Sequence, residues 1–122
     1  MLYPLIGPRL HGWLDDLVAL IYIAGAFALG LHGAALAVAF GGAAVHFALT
    51  RLTNYPQGTL KLIPFRVHAF LELGEGIAVI AATWLVVGDL PPPARVFLTF
   101  MGATQFVAFG FSDYGPARSN AD

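Results

Sequence analysis

Two histidine–carboxylate pairs at the same spacing, His11 with Asp15 and His68 with Glu72, are the residues of this chain best suited to chemistry. A separation of four on an α-helix places both side chains on one face. Each pair can therefore converge on a single ion, and imidazole nitrogen with carboxylate oxygen is the donor chemistry of zinc, iron or manganese. Glu75 and His46 are candidates for the supporting roles, orienting a ligand or accepting a proton. The chain has no cysteine, which excludes thiolate ligation, disulfides and thiol catalysis.

The same residues admit other readings. His11–Asp15 and His68–Glu72 can be hydrogen-bonded pairs that satisfy one another and position helices. Glu72 and Glu75, one turn apart, can form a like-charge pair with a raised proton affinity, the element needed by a proton or ion channel or carrier. Four short spans leave little room for a path through one copy, so that version requires an oligomer. A haem between His11 and His68 is a third possibility, weakened because both lie near the membrane boundary and Gln105 replaces the counterpart of His46. A metal with an open position could activate water. Against an enzyme, the sequence has no nucleophile elbow, H-E-x-x-H, phosphate loop or dinucleotide fingerprint.

The elements that carry these residues follow from hydropathy. In K-L-I-P-F-R-V-H-A-F-L-E-L-G-E, from Lys61 to Glu75, a basic, proline-marked segment becomes an apolar run that stops only at Gly88-Asp89. A bilayer-spanning helix needs about 20 residues, so this span begins near His68. At about 1.5 Å rise per residue, Glu72 and Glu75 then lie roughly 6 Å and 10 Å into it. Ionisable groups at such depth face a partner or a water-filled cavity.

At 122 residues, 58% of them hydrophobic and 11% charged, with a mean hydropathy of +0.75, the chain reads as a polytopic membrane protein whose partner is the lipid bilayer. Six basic residues and a net charge of −1 give no nucleic-acid footprint. The N-terminus, with Pro4 and Pro8, has no signal-peptide pattern, so the mature chain is expected to start at Met1.

Four spans are predicted: about Leu10 to Leu31, Gly33 to Thr50, His68 to Val87, and Ala94 to Phe111. Pro8 is placed before the first turn of the first. A minimal turn at His32-Gly33 forces the first two into an antiparallel hairpin. Asp89-Leu90-Pro91-Pro92-Pro93 is a stiff connector between the last two, expected to be non-helical. Gly33, Ala37, Gly41, Gly42 and Ala44 on the second span suit close helix packing and offer a candidate surface for a homo-oligomer.

The chain also repeats itself. Pro8-x-x-His11-x-x-x-Asp15 matches Pro64-x-x-x-His68-x-x-x-Glu72, the histidines lying 57 positions apart (11 to 68). Thr53-Asn54-Tyr55-Pro56 matches Ser112-Asp113-Tyr114-Gly115-Pro116, the tyrosines lying 59 apart (55 to 114). The expectation is one membrane domain over residues 1–122 with repeats at 8–56 and 64–116: an all-α four-helix bundle made of two tandem transmembrane hairpins related by a pseudo-two-fold axis along the membrane normal. His11 and His68 then share one depth, as do Asp15 and Glu72. His46, Thr50 and Thr53 make a polar stripe on the second helix, and Gln105 and Ser112 one on the fourth.

This order of His-x-x-x-acid helix, hairpin, Thr-x-Tyr-type end, then K-L-I-P before a second His-x-x-x-acid helix resembles small bacterial membrane proteins of the SPW-repeat kind. Ala82-Thr83-Trp84 stands where the Ser-Pro-Trp of that repeat would be, and Gly25-Ala26-Phe27 occupies the matching place in the first unit. The resemblance implies a four-span bacterial membrane protein and brings no activity with it; the inner membrane is the expected location.

Arg9, Arg51, Lys61, Arg66 and Arg118 flank the ends shared by the termini and the middle loop, against Arg95 alone on the other side. Both termini are therefore expected in the cytoplasm. His46 on its own reads as a satisfied core histidine, Asp16 as interfacial and His32 as a surface residue of the short turn. Tyr55, Tyr114, Trp13 and Trp84 read as interface anchors. The two tyrosines also lie at the level where they could support the His/carboxylate centre.

Overall fold

The computed structural model describes residues 4–115, and among them the chain is four helices with no strand. They are α1 (Pro8–Ala28), α2 (Gly33–Leu52), α3 (Phe65–Leu85) and α4 (Pro92–Phe111). Each is long and apolar enough to cross a membrane. The protein is an all-α, multi-pass membrane four-helix bundle. The most extensive packing joins α1 to α2 and α3 to α4, the two hairpins; α2 meets α3 less extensively, and α1 meets α4 less still.

Side chains are distributed as lipid requires. Large apolar residues such as Leu20, Phe27, Phe47, Phe70, Ile77 and Phe100 point outward. The interior is lined by small ones, among them Ala26, Ala35, Ala39, Ala43 and Ala94, which let the backbones approach. At Gly76 and Gly102 the approach is closest: a Cβ on Gly76 would sit 2.6 Å from the carbonyl oxygen of Gly102. Gly42 faces inward under the ring of Tyr22, whereas Gly41 meets nothing, so the small residues of α2 divide between the core and the lipid face.

Helices α1, α3 and α4 start two or three residues earlier than the hydropathy suggested, and α2 starts at Gly33 as expected. Pro8 is within the first turn of α1 rather than before it, and Pro92 and Pro93 open α4 rather than belonging to a non-helical connector. Proline is tolerated there because the first-turn N–H groups have no intrahelical acceptor. The turn after α1 closes early because Gly30, at φ +62°, lets Leu31 N donate back to Ala26 O.

The two ends of the bundle differ. At one, the short turn after α1 meets the Pro-rich connector, and Arg95 closes α3 by donating to Thr83 O and Gly88 O while covering the Trp84 ring. At the other, the segment before each odd helix seals the end of a return helix. Leu5 N and Ile6 N donate to Phe111 O, and Asp113 N returns to Ile6 O. Leu62 N and Ile63 N donate to Leu52 O, and Asn54 N returns to Ile63 O. This second end holds the polar interior. The opposite half, from Tyr22 through Ala26, Leu31, Val79, Val87 and Leu98, is apolar.

Candidate metal centre

Helix α1 delivers His11 and Asp15 on successive turns, α3 delivers His68, Glu72 and Glu75, and α2 delivers His46. All but Glu75 are 2% exposed or less. One ligand atom from each of His11, Asp15, His68 and Glu72 can be chosen so that all lie within 4.8 Å of one another.

Three imidazoles aim their Nε2 atoms at the same two carboxylates. His11 Nε2 is 3.4 Å from Asp15 Oδ1 and 3.0 Å from Glu72 Oε2. His68 Nε2 is 3.2 Å from Asp15 Oδ2 and 3.3 Å from Glu72 Oε2. His46 Nε2 is 3.8 Å from Asp15 Oδ1 and 3.7 Å from Glu72 Oε1. The Glu72 carboxylate thus fills the space between His11 and His68 in which a porphyrin would have to lie.

The opposite ring nitrogens are all held. His68 Nδ1 lies 2.7 Å from Thr53 Oγ1, whose own proton goes to Leu49 O at 2.6 Å. A hydroxyl has one proton, so here Thr53 accepts and His68 Nδ1–H donates. His46 Nδ1 lies 2.6 Å from Glu75 Oε2 and donates to it. His11 Nδ1 lies 2.6 Å from Ser112 Oγ. With Nδ1 protonated, a neutral His46 or His68 ring presents a bare Nε2 lone pair to the carboxylates. Those two buried Nε2 atoms have no hydrogen-bond partner.

Outside the spans, Tyr55 OH donates to Asp15 Oδ2 at 2.8 Å. Burial, then the Asp15 charge, hold the Tyr55 phenol protonated well above its ordinary range. Burial, then the charge of Glu72, do the same for Tyr114. With Phe65 these rings close the polar end: His11 to Phe65 is 5.0 Å between centroids, Phe65 to Tyr114 4.7 Å and Tyr55 to Phe65 5.3 Å.

The residues expected from sequence are therefore together, with corrections. Tyr55 and Tyr114 are 4% and 5% exposed, not interface anchors. Trp13 and Trp84 do face outward. His46 is only half satisfied, at Nδ1, and it stands between Glu75 and Glu72 rather than leaving them as a bare like-charge pair. Asp16 pairs with Arg51 at 2.5 Å at the bundle surface, and His32 is exposed. Gln105 is buried, its amide donating to Met101 O and Thr104 Oγ1 at 3.3 Å. The site's contacts with Phe65 and Tyr22 were missed. Tyr22 follows Asp15 by seven residues, two helical turns, and helical periodicity could have found it; Phe65 carries no such signal. Arg118 and Pro116, used in the orientation and repeat arguments, lie outside the described residues.

Compared with known proteins, the chain matches no family model, no curated protein and no solved structure.

Proposed function

We propose that this centre binds a divalent first-row metal ion, zinc, iron or manganese, with His11, Asp15, His68 and Glu72 as ligands and His46 Nε2 as a further imidazole donor. The observation that carries the reading is the pair of buried Nε2 atoms, on His46 and His68, that face two carboxylates without a hydrogen-bond partner while their Nδ1 atoms are held elsewhere. On a neutral ring, lone pair against carboxylate is repulsive in a dry interior and becomes favourable around a cation. Donors at about 2.1 Å from one ion are roughly 3.0–3.5 Å apart in octahedral or tetrahedral geometry. The observed separations of 3.0 to 3.8 Å bracket that range. A dication also balances the two carboxylate charges.

The structural pairing reading accounts for less. Of the six imidazole–carboxylate approaches converging here, His11 with Glu72 forms a hydrogen bond, while the Nε2 atoms of His46 and His68 form none. The transport reading meets the apolar half beyond Tyr22, which leaves the polar cluster without a continuation through the bundle.

The setting is proposed to be a bacterial inner membrane, with the centre at the cytoplasmic end. Arg9, Arg51, Lys61 and Arg66 gather there and Arg95 lies at the other end, as the positive-inside bias requires. The matched bonding of Leu5-Ile6 with Phe111 and of Leu62-Ile63 with Leu52 supports descent from a repeated hairpin, in keeping with the SPW-repeat resemblance. The lipid-facing small residues of α2, Gly33, Ala37, Gly41 and Ala44, are the proposed contact for a second copy.

The test is the native metal content of untagged protein extracted without chelator. About one equivalent, lost in His68→Ala and kept in His32→Ala, is the expected result. Metal-free protein that also fails to take up added zinc, iron or manganese would overturn the reading and move attention to proton movement through Glu72 and Glu75.

A further inference from the structure

The centre is closed toward water and open toward lipid. Tyr55, Phe65 and Tyr114 stack across the polar end, and the paired backbone bonds of Leu5-Ile6 and Leu62-Ile63 seal the helix ends around them. Sideways the bundle is not closed. Along the α1–α4 seam, where packing is less extensive than within either hairpin, a cavity of about 330 Å³ runs inward between Leu14, Val18, Phe100 and Val107. Its rim residues Leu14, Phe100 and Val107 are 36%, 64% and 56% exposed on the lipid-facing surface.

The cavity is apolar over nearly all of its lining and touches the centre only at its inner end. His11, Asp15, Glu72 and Gln105 line it, whereas His46 and His68 do not. Three other cavities, at the short-turn end, on the α1–α2 face and on the α3–α4 face, contain none of these residues. An apolar passage of ligand size ending on a few convergent polar groups has the anatomy of a binding site, and this one opens where only molecules dissolved in the bilayer arrive.

We infer that the α1–α4 seam admits a single-chain, lipid-soluble amphiphile with a small oxygen-bearing head, the chain lying between Leu14 and Phe100 and the head reaching the carboxylate side of the centre. Charged or water-soluble molecules are excluded by the apolar walls and the aromatic closure. The inference rests on the metal reading only for what the head meets. Five protein donors leave one octahedral position, and the cavity reaches the ligands His11, Asp15 and Glu72.

The experiment uses the full chain in phosphatidylethanolamine/phosphatidylglycerol nanodiscs with a diazirine-bearing dodecan-1-ol, labelled peptides being mapped by mass spectrometry. Labelling of the Leu14 and Phe100–Val107 peptides should saturate and fall at least fivefold with excess unlabelled dodecanol, while Ile23 and Phe40 on the α1–α2 face label without saturation. Ala103→Phe, which fills the seam, should abolish the saturable part. A second measurement adds dodecanol or ethanol to cobalt-loaded protein, where dodecanol alone should shift the visible absorption. Seam labelling that does not saturate, or that bulk phospholipid explains, overturns the inference even if metal binds. Saturable labelling of protein that takes up no cobalt upholds it while sinking the metal reading.

Discussion

Tyr55, in the loop after α2, gives its phenolic proton to Asp15 on α1 across 2.8 Å, a contact spanning 40 residues of sequence. It fixes one carboxylate oxygen from outside the membrane span. Tyr55→Phe leaves the ring stack intact and removes that donor. Metal affinity should drop about tenfold, as loss of an orienting partner typically causes, and stability by about 1–3 kcal/mol. Competition with a metal-binding dye and thermal unfolding measure the two.

Thr53 holds His68 in the tautomer that turns Nε2 inward. Thr53→Val keeps the shape and removes the acceptor, which should weaken metal binding about 10–100-fold. Thr53→Ser should restore most of it. Equal loss in both variants would mean that packing, not the hydroxyl, matters.

The raised proton affinities of Tyr55 and Tyr114 give a sign for alkaline behaviour. Below about pH 10 the phenols are protonated in folded and unfolded chains alike and contribute nothing to pH dependence. Above it the unfolded chain releases those protons and the folded one keeps them, so stability falls as pH rises. Tyrosinate absorbance near 295 nm should thus appear late in folded protein and earlier in denatured protein, and Tyr55→Phe should leave the folded curve unchanged up to pH 11.

Gly76 and Gly102 set the α3–α4 crossing. In Gly76→Ala the new methyl would meet the Gly102 carbonyl at 2.6 Å, a backbone atom that moves only with its helix. The expected cost is about 1–3 kcal/mol. Gly74→Ala, whose Cβ meets nothing within 4 Å, should be neutral or slightly stabilising. Thermal unfolding in one detergent compares them directly.

A bound ion should stabilise the bundle by mass action, by about 2.7 kcal/mol when the free metal is a hundredfold above its dissociation constant. Chelator treatment should lower the unfolding temperature of the wild-type chain and leave that of His68→Ala unmoved.

The four helices were legible because lipid imposes an unbroken apolar run on each, and their starts were misjudged where Pro8 was placed before the first turn and Pro92 in a non-helical connector, although both open a helix. The His/carboxylate face was legible because four-residue spacing on a helix is nearly geometry. What sequence concealed were contacts between distant segments. Thr53 and Ser112 stood out as matched positions, but that Thr53 reaches His68 and Ser112 reaches His11 depends on how the hairpins pack. Tyr55 and Tyr114 followed the composition of interface anchors and were drawn inward because buried carboxylates need donors.

The division of the polar cluster between hairpins bears on how the chain enters the membrane. His11, Asp15 and His46 belong to the first hairpin, and His68, Glu72 and Glu75 to the second. During synthesis the first pair of helices would sit in lipid with Asp15 lacking its His68 partner, a burden smaller than the roughly 2.5–3.5 kcal/mol met at a helix centre because Asp15 lies two turns inside α1 and still faces His11 and His46. The second hairpin relieves it and brings its own. Neither half completes the polar cluster alone, so a chain stopped after α2 would leave Asp15 without the His68 contact that the second hairpin supplies.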